Sequence, residues 1–202
     1  MEEEERLGAT VSTREEGPSA LAAYARVPIA FEVRSQLRVG EVSAGFGGLS
    51  LVEAQVDPPW VKDYDAESGP LSWAREVDLT SWGILSAWAK NGERIGGAAV
   101  AWGSRDVAML DGRTDLAVLW DIRVRPDARS RGVGTALFRA AEQWAAARDA
   151  CWLKVETQNI NVPACRFYMR MGCTLGAINR FAYPSLPEET QLLWYKRLAS
   201  GG

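Results

Sequence analysis

Two arginines and two glycines in one short loop are residue types that bind phosphate. An apolar strand pattern ends at Pro126, a helix is predicted from about Val133, and the loop between them reads Arg-x-x-Gly-x-Gly over residues 129–134. The first N–H groups of a helix have no acceptor inside it, and the helix dipole adds partial positive charge there. Arginines pair with phosphate oxygens, and glycines let the backbone approach a ligand closely. The loop therefore predicts a phosphate pocket, while an ordinary strand-to-helix turn with a solvated basic loop is the competing interpretation.

Other phosphate-binding motifs fit this loop poorly. A dinucleotide fingerprint requires Gly-x-Gly-x-x-Gly, and Leu137 occupies the position of the third glycine. A P-loop requires Gly-Lys followed by Ser or Thr, and the sequence has no Gly-Lys pair. The Arg-x-x-Gly-x-Gly pattern is therefore the one that the loop satisfies.

The composition is that of a globular protein with one full core. The chain has 202 residues, of which 47% are hydrophobic and 24% charged, and its net charge is -3 at pH 7. This charge gives no basic field for nucleic acid, and no apolar run reaches the roughly 20 residues that span a bilayer. The start, Glu2 to Glu5, is the opposite of a signal peptide's basic start. We therefore expect a cytoplasmic protein with no nucleic-acid or membrane partner.

Histidine is absent from the sequence, which removes a Ser-His-Asp triad, a Cys-His dyad and imidazole metal ligands. The three cysteines, Cys151, Cys165 and Cys173, have no C-x-x-C spacing, and we interpret them as core thiols. No metal site is expected. Acid–base chemistry would have to come from Asp, Glu, Tyr, Lys or water.

The chain is predicted to consist of a flexible acidic leader over residues 1–24 and one domain over residues 25–202. Strands are predicted at 29–35, 49–56, 82–89, 94–102, 116–124, 152–157, 174–178 and 191–198. A helix with one apolar face follows the phosphate loop, and a second helix is predicted between an N-cap at Asn161 and Gly172. A loop from Trp60 to Asp65 combines two aromatic rings with two carboxylates.

A second motif follows the first along the chain. A strand over 153–156 leads to Asn161 and then to a short helix with the aromatic pair Phe167 and Tyr168. In this order and spacing, the two motifs resemble the GNAT superfamily of N-acetyltransferases over about residues 27–198. Within that superfamily the chain is similar to the streptothricin acetyltransferases, in segments scattered over the domain at residues 62–65, 95–99, 120–124, 156–168, 175–178 and 193–195.

The resemblance implies an α/β (α+β) GNAT fold. Its sheet is mixed and mostly antiparallel, with about seven strands and with helices on both faces. The two central parallel strands, which end near Val124 and Glu156, should splay apart to admit the cofactor. Dimers are common in the superfamily, so the resemblance leaves a homodimer open.

The resemblance also implies acetyl-CoA as the co-substrate. Backbone groups of the central strand are expected to bind its pantetheine arm, and the phosphate loop its pyrophosphate, with help from the second motif. These cofactor residues are Ile122, Arg123, Val124, Arg129, Ser130, Arg131, Gly132, Val133, Gly134, Thr135, Asn161 and Phe167.

The chemistry implied by the resemblance is direct attack of an amine on the acetyl group in a ternary complex. Tyr168 is the expected general acid, because a phenol of pKa about 10 can protonate a thiolate whose thiol has a pKa of about 8.5. A helix-packing aromatic is the competing interpretation for Tyr168. Asp121 and Glu156 are both candidates to accept the proton of the amine through water or to bind its positive charge. Partly exposed strand carboxylates without a role are the alternative.

The acceptor is expected to be the amine of a cationic small molecule, with streptothricin first. The residues expected to bind it are Trp60, Asp63, Tyr64, Asp65 and Glu188, with Glu189 beside them. An aminoglycoside, a polyamine or a protein amine is the alternative acceptor. A different class of protein, a non-catalytic acyl-CoA sensor, would bind the cofactor without turnover.

Overall fold

The computed structural model describes residues 11–66 and 68–199 of the chain. These residues form nine strands and four α-helices. The strands are β1 (Ser12–Glu16), β2 (Phe31–Glu41), β3 (Leu49–Lys62), β4 (Gly83–Trp88), β5 (Arg94–Trp102), β6 (Leu116–Val124), β7 (Trp152–Gln158), β8 (Thr174–Asn179) and β9 (Gln191–Arg197). The helices are α1 (Leu21–Tyr24), α2 (Pro70–Glu76), α3 (Val133–Ala146) and α4 (Val162–Arg170).

The chain divides into two compact units. The first contains the described residues of Met1–Ile29, Asp63–Leu153 and Arg197–Gly202, and the second contains Ala30–Lys62 and Lys154–Lys196. Seven strands make up one mixed sheet, of which the first unit supplies β1-β4-β5-β6 in that order and the second supplies β7-β9-β8. A separate antiparallel hairpin of β2 and β3 belongs to the second unit. The predicted sheet of about seven strands is confirmed, and the splay between its central strands stays a prediction.

Helices cover both faces of the strands of the first unit, and two adjacent glycines of β5 show why. A Cβ on Gly96 would lie 3.0 Å from a methyl carbon of Leu137 in α3. A Cβ on Gly97 would lie 2.5 Å from the ring of Tyr24 in α1. Since neighbouring residues of a strand point to opposite faces, the two glycines permit a close helix on each side. The small residues predicted to allow close packing in this strand do so.

Substitution of Gly97 by Ala should destabilise the first unit. The added methyl group overlaps the Tyr24 ring, and overpacking of this kind costs about 1–3 kcal/mol of unfolding free energy. Urea unfolding measures the effect. Gly17→Ala is the control, because its Cβ meets no atom within 4 Å and its φ of -84° is open to alanine. Equal stability of the two variants would contradict the prediction.

Three tryptophans form a row that runs from the core of the first unit to its surface, where Trp120 is 37% exposed. The ring centroids of Trp73 and Trp82 are 6.2 Å apart, and those of Trp82 and Trp120 are 5.3 Å apart in an edge-to-face arrangement. Trp73 and Trp82 are each 5% exposed. Aromatic contacts add to the burial of apolar area, so the row connects α2, through Trp82 just before β4, to strand β6.

Residues 12–24 belong to the first unit and not to a separate leader. β1 pairs antiparallel with β4, and Tyr24 at the end of α1 is fully buried. The carboxylate of Glu16 accepts a hydrogen bond of 2.7 Å from Arg94, a cationic partner that local composition does not reveal. The folded part of the chain therefore begins before the boundary that we predicted at residue 25. Residues 1–10 of the predicted leader lie outside the described residues.

β2 and β3 are both longer than the strands predicted at 29–35 and 49–56, and Trp60 lies in a strand and not in a loop. β3 continues through the proline pair at 58–59 to Lys62. The pairing between β2 and β3 shifts from Ser35 opposite Gln55 to Val33 opposite Trp60, so residues 56–59 form an irregularity. Prolines lack an N–H for the ladder and are tolerated at such bulges, which is why they do not end this strand.

Membrane-spanning helices are not found in the described ranges, because none of the helices there has the length and apolarity to cross a bilayer.

Candidate active site

The predicted phosphate loop and the helix after it are present in the first unit. A 3-10 turn at Pro126–Ala128 follows β6, and α3 begins at Val133 as predicted. Ser130 and Gly132 have φ values of +60° and +81°, in the left-handed region that only glycine adopts easily. Gly132 is the N-cap residue of α3. The helix thus begins directly after the basic residues of the loop.

The N-terminus of α3 offers backbone donors to an anion. The N–H of Ala136 donates to the carbonyl of Gly132 at 3.0 Å, so the N–H groups at 133–135 come before this helical bond. The Nε of Arg129 donates to the carbonyl of Val124 at 3.1 Å, which holds this side chain beside the loop. Arg131 is exposed. This geometry fits the predicted pyrophosphate site, in which N–H groups, helix dipole and arginines all favour negative charge.

Arg123 has a buried side chain that is committed to the protein. Its guanidinium donates to both oxygens of Asp121 at 2.9 and 2.8 Å and to both oxygens of Asp65 at 2.7 and 3.0 Å. Its Nη1 also donates to the carbonyl of Val27 at 3.0 Å. Only the backbone of Arg123, with that of Ile122 and Val124, is therefore in a position to serve the predicted pantetheine contacts.

Asp121 lies in this buried cluster and has a third donor. The O–H of Tyr24 donates to its Oδ1, and the Arg123 guanidinium lies 5.1 Å from the Tyr24 ring centroid. The pKa of Tyr24 is raised well above 10, first by burial and then by the negative charge of Asp121. Burial lowers the pKa of Arg123, but the bonds and charge of Asp121, with Asp65, outweigh it and the net shift is upward. Asp121 is thus an ion-paired carboxylate with both oxygens occupied.

The raised pKa of Tyr24 predicts a loss of stability in alkaline solution. An unfolded tyrosine loses its proton at about pH 10, whereas folded Tyr24 keeps it to higher pH. Its contribution is therefore complete below pH 10 and is lost as the pH rises, by about 1.4 kcal/mol per pH unit. Urea unfolding between pH 9 and 11 measures this slope. Tyr24→Phe should be less stable at pH 7 but lose stability less steeply, and an unchanged slope would contradict the assignment.

The segment 60–65, which was predicted to be a loop that binds the acceptor, falls partly in one unit and partly in the other. Asp65 is ion-paired with Arg123, and Asp63 accepts the N–H of Asp65 at 3.1 Å and caps a 3-10 turn. Trp60, in β3, belongs to the second unit. Two carboxylates share one guanidinium, so Asp65, Asp121 and Arg123 together keep one net negative charge. That charge is best placed at Asp65, the most exposed of the three side chains at 25%.

Glu156, the other candidate carboxylate, has a different environment in the second unit. Its Oε1 accepts from the O–H of Tyr183 at 2.6 Å and from the amide of Gln158 at 3.3 Å. Its Oε2 accepts from the amide of Gln191 at 2.7 Å. All three donors are uncharged, whereas Asp121 is held by a guanidinium. The sequence left these two carboxylates equivalent, and the structure separates them.

The second motif, which consists of Asn161 and helix α4 and is called the α4 motif below, has the local structure that the sequence predicts. Asn161 is the N-cap, and its Oδ1 accepts the N–H of Ala164 at 3.2 Å, which leaves its amide nitrogen to serve a ligand. Gly172 has a φ of +81° after the helix end. The rings of Phe167 and Tyr168 are in edge-to-face contact at 5.4 Å, and Tyr168 is 4% exposed. The roles of Asn161, Phe167 and Tyr168 toward the cofactor stay predictions.

Glu188 and Glu189 also differ. Glu188 is exposed, but Glu189 is buried in an ion pair of 2.8 Å with Lys62, whose side chain is 8% exposed. Glu189 is thus neutralised within the second unit, so Glu188 is the more accessible of the two predicted acceptor contacts.

The cysteines are free thiols, and two of them are buried as predicted. Cys151 is exposed, so the prediction of a core thiol is wrong at that position, which lies just before β7. Burial raises the pKa of the Cys165 thiol, which disfavours the nucleophilic thiolate. This suits direct transfer of the acetyl group without a covalent intermediate.

The strand, glycine loop and helix of the first unit, followed by the Asn161 and Tyr168 helix, define the class to which the protein belongs. The chain is a member of the acetyltransferase (GNAT) family, whose sequence model matches residues 50–173.

Individual relatives carry a more specific activity in their names than the family does. Streptothricin acetyltransferase of Streptomyces lavendulae is 32% identical over 162 residues, which are 78% of this chain and 79% of that protein. Streptothricin acetyltransferase A of Bacillus subtilis (strain 168) is 41% identical over 81 residues, which are 39% of this chain and 47% of that protein. The chain therefore spans about half the length of the B. subtilis relative that it matches.

Solved structures agree on the fold. Nourseothricin acetyltransferase superposes with a TM-score of 0.75 and 26% identity, covering 95% of this chain and all of that chain. A protein from Bacillus anthracis str. Ames, in complex with acetyl coenzyme A, has a TM-score of 0.73 and 24% identity, covering 94% of this chain and 99% of that chain.

Two tyrosines at the candidate carboxylates were missed by sequence reasoning. Tyr24 is 97 residues from Asp121, in a stretch that we assigned to the leader. Tyr183 is 27 residues from Glu156, in a long loop without periodic pattern. An aromatic residue in a segment that must close over a strand is a weak signal, and it does not identify the carboxylate that the residue meets.

Proposed function

We propose that the protein transfers an acetyl group from acetyl-CoA to a primary amine of a cationic small molecule, and that this molecule is streptothricin. The observation that carries the proposal is the match with streptothricin acetyltransferases, which extends over 79% of the length of the Streptomyces relative. The phosphate loop at the N-terminus of α3 supports acetyl-CoA as donor. The carboxylate of Glu156, which is held by uncharged donors, supports a cationic acceptor.

The residues supply the binding and proton-transfer functions of this reaction. The loop from Arg129 to Thr135 would hold the pyrophosphate, and the β6 backbone with Asn161 and Phe167 would hold the pantetheine arm. The amine nitrogen bonds to the acetyl carbon as the carbon–sulfur bond breaks. Tyr168 gives its proton to the departing thiolate, and a carboxylate takes the proton of the amine through water.

Glu156 is the better candidate for that carboxylate. Asp121 would have to give up bonds to Arg123 and to Tyr24 before it could accept a proton, and its side chain is 7% exposed. Glu156 is half-buried and is held by neutral donors, so its negative charge is not cancelled by a cation. Asp121 then has a structural role, because its ion pair with Arg123 stabilises the fold of the first unit.

The test is thiol release from acetyl-CoA, followed with a chromogenic disulfide, against a panel of amines. The panel contains streptothricin, several aminoglycosides, spermidine and a lysine peptide. Fast release with streptothricin alone is the expected result. Release with another amine would replace the acceptor and keep the reaction. Tight acetyl-CoA binding without release for any amine would replace the enzyme with a sensor.

A further inference from the structure

The carboxylate of Glu156 is held by a phenol that lies outside both sequence motifs. We propose that Tyr183 is a positioning residue, whose O–H orients the Glu156 carboxylate toward the ammonium group of the acceptor. The inference rests on the proposed function, because it assigns the acceptor amine to Glu156. It adds a residue that neither the phosphate loop nor the α4 motif predicts.

The hydrogen bonds at Tyr183 run in one direction. The amide of Gln158 donates to the Tyr183 hydroxyl oxygen at 2.9 Å, and the Tyr183 O–H donates to Glu156 at 2.6 Å. Burial raises the pKa of Tyr183, and the hydrogen bond and charge of Glu156 raise it further, so the phenol stays protonated at neutral pH. Tyr183 is therefore a permanent donor, and the chain of bonds ends on the carboxylate.

The second oxygen of Glu156 is held from another strand. Gln191 in β9 donates to Oε2 at 2.7 Å, whereas Tyr183 and Gln158 donate to Oε1. Donors on both oxygens fix the plane of the carboxylate. Because none of them is charged, they orient Glu156 without neutralising it, which leaves a full negative charge for an ammonium group.

The charged groups close to Tyr183 and Glu156 neutralise each other in an ion pair. Glu189 acts on Tyr183 through its charge, but its carboxylate is paired with Lys62 at 2.8 Å. Across the described residues of the second unit, the hydrogen-bond donors to Glu156 itself are the phenol of Tyr183 and the amides of Gln158 and Gln191. The phenol is thus the titratable group that touches Glu156.

The segment that carries Tyr183 is anchored without its hydroxyl. The N–H of Phe181 donates to Asn179 Oδ1 at 3.0 Å before it, and the N–H of Thr190 donates to Asn159 Oδ1 at 2.7 Å after it. The N–H of Leu186 also donates to the carbonyl of Tyr183 at 3.0 Å. Tyr183→Phe should therefore remove one donor from Glu156 and leave the backbone of the segment in place.

The experiment compares Tyr183→Phe with the parent enzyme on the panel amine of highest rate. We expect the KM for the amine to rise about 10- to 100-fold, the range for loss of a hydrogen bond to a charged group, while the KM for acetyl-CoA stays within about 2-fold. Tyr195→Phe, in β9 of the same unit, is the matched control and should behave as the parent.

A second background decides whether Tyr183 acts through Glu156. If it does, Tyr183→Phe has no further effect on the amine KM in the Glu156→Gln enzyme, because the negative charge that the bond orients is no longer present. A parent-like amine KM in Tyr183→Phe would overturn the proposal. Equal losses in both backgrounds would also overturn it and assign Tyr183 a structural role.

Failure of the proposed function has a different signature. If the parent enzyme does not acetylate streptothricin but acetylates another amine, that amine replaces streptothricin as the proposed acceptor. The comparison of Tyr183→Phe with the parent enzyme still applies. A parent enzyme that acetylates no amine of the panel overturns both the function and the positioning role.

Discussion

Replacement of Tyr168 by Phe should lower turnover about 100- to 10,000-fold, the range that general acid catalysis supplies. The phenol is the group expected to protonate the thiolate as the carbon–sulfur bond breaks. Without it the thiolate must leave unprotonated or take a proton from water. Tyr168 is 4% exposed and lies against Phe167 on α4, so the ring of Phe can replace it with the same packing. Acetyl-CoA affinity should therefore change little.

Two measurements separate the chemical role of Tyr168 from a packing role. Calorimetric titration of acetyl-CoA gives the dissociation constant, and rapid mixing gives the rate of the chemical step. Tyr195→Phe is again the control for loss of a phenol in the same unit. Parent-like turnover in Tyr168→Phe, with or without a lower Tm, would leave Tyr168 as a helix-packing aromatic and remove it from the mechanism.

The second large effect is on stability. Arg123→Met should lower the unfolding free energy by about 3–5 kcal/mol, the cost of leaving buried carboxylates without their cation. The side chain of Arg123 is 1% exposed, and its guanidinium pairs with Asp65 and Asp121 at 2.7 and 2.8 Å. Methionine fills a similar volume, so the loss measures the charge and hydrogen bonds more than the packing. Urea unfolding at pH 7 gives the difference.

Arg125→Met is the matched control. Arg125 is two residues further along the chain and pairs with Asp127 at 2.6 Å and with Glu93 at 3.3 Å, but these side chains are 35%, 65% and 54% exposed. Surface ion pairs contribute about 0–1 kcal/mol, so this variant should unfold near the parent. Equal losses at 123 and 125 would contradict the view that burial makes the Arg123 cluster structural.

Local signals in the sequence predicted the elements that carry the candidate cofactor residues. The start of α3 at Val133 and the cap at Asn161 follow from short-range chemistry, since helix ends depend on residues within one turn. The buried face of α3, with Leu137 and Trp144, follows from its periodicity. These features needed no knowledge of the tertiary fold.

Long-range features of the site could not be predicted in the same way. Arg123 and Asp65 are 58 residues apart, and neither position differs from an ordinary charged residue in its local pattern. The prolines at 58–59 read as a strand end because their acceptance depends on the bulge between β2 and β3. The difference between Asp121 and Glu156 depends on which side chains reach them, and this is decided by the fold.

The row of Trp73, Trp82 and Trp120 also gives the first unit an optical label of its own. Indoles whose centroids are 5.3–6.2 Å apart have electronic transitions that couple, and coupled transitions on fixed rings produce paired bands of opposite sign in circular dichroism. The bands vanish once the rings rotate independently. Loss of this signal would report disorder around β4 and α2 in real time, without a dye, a tag or a substrate.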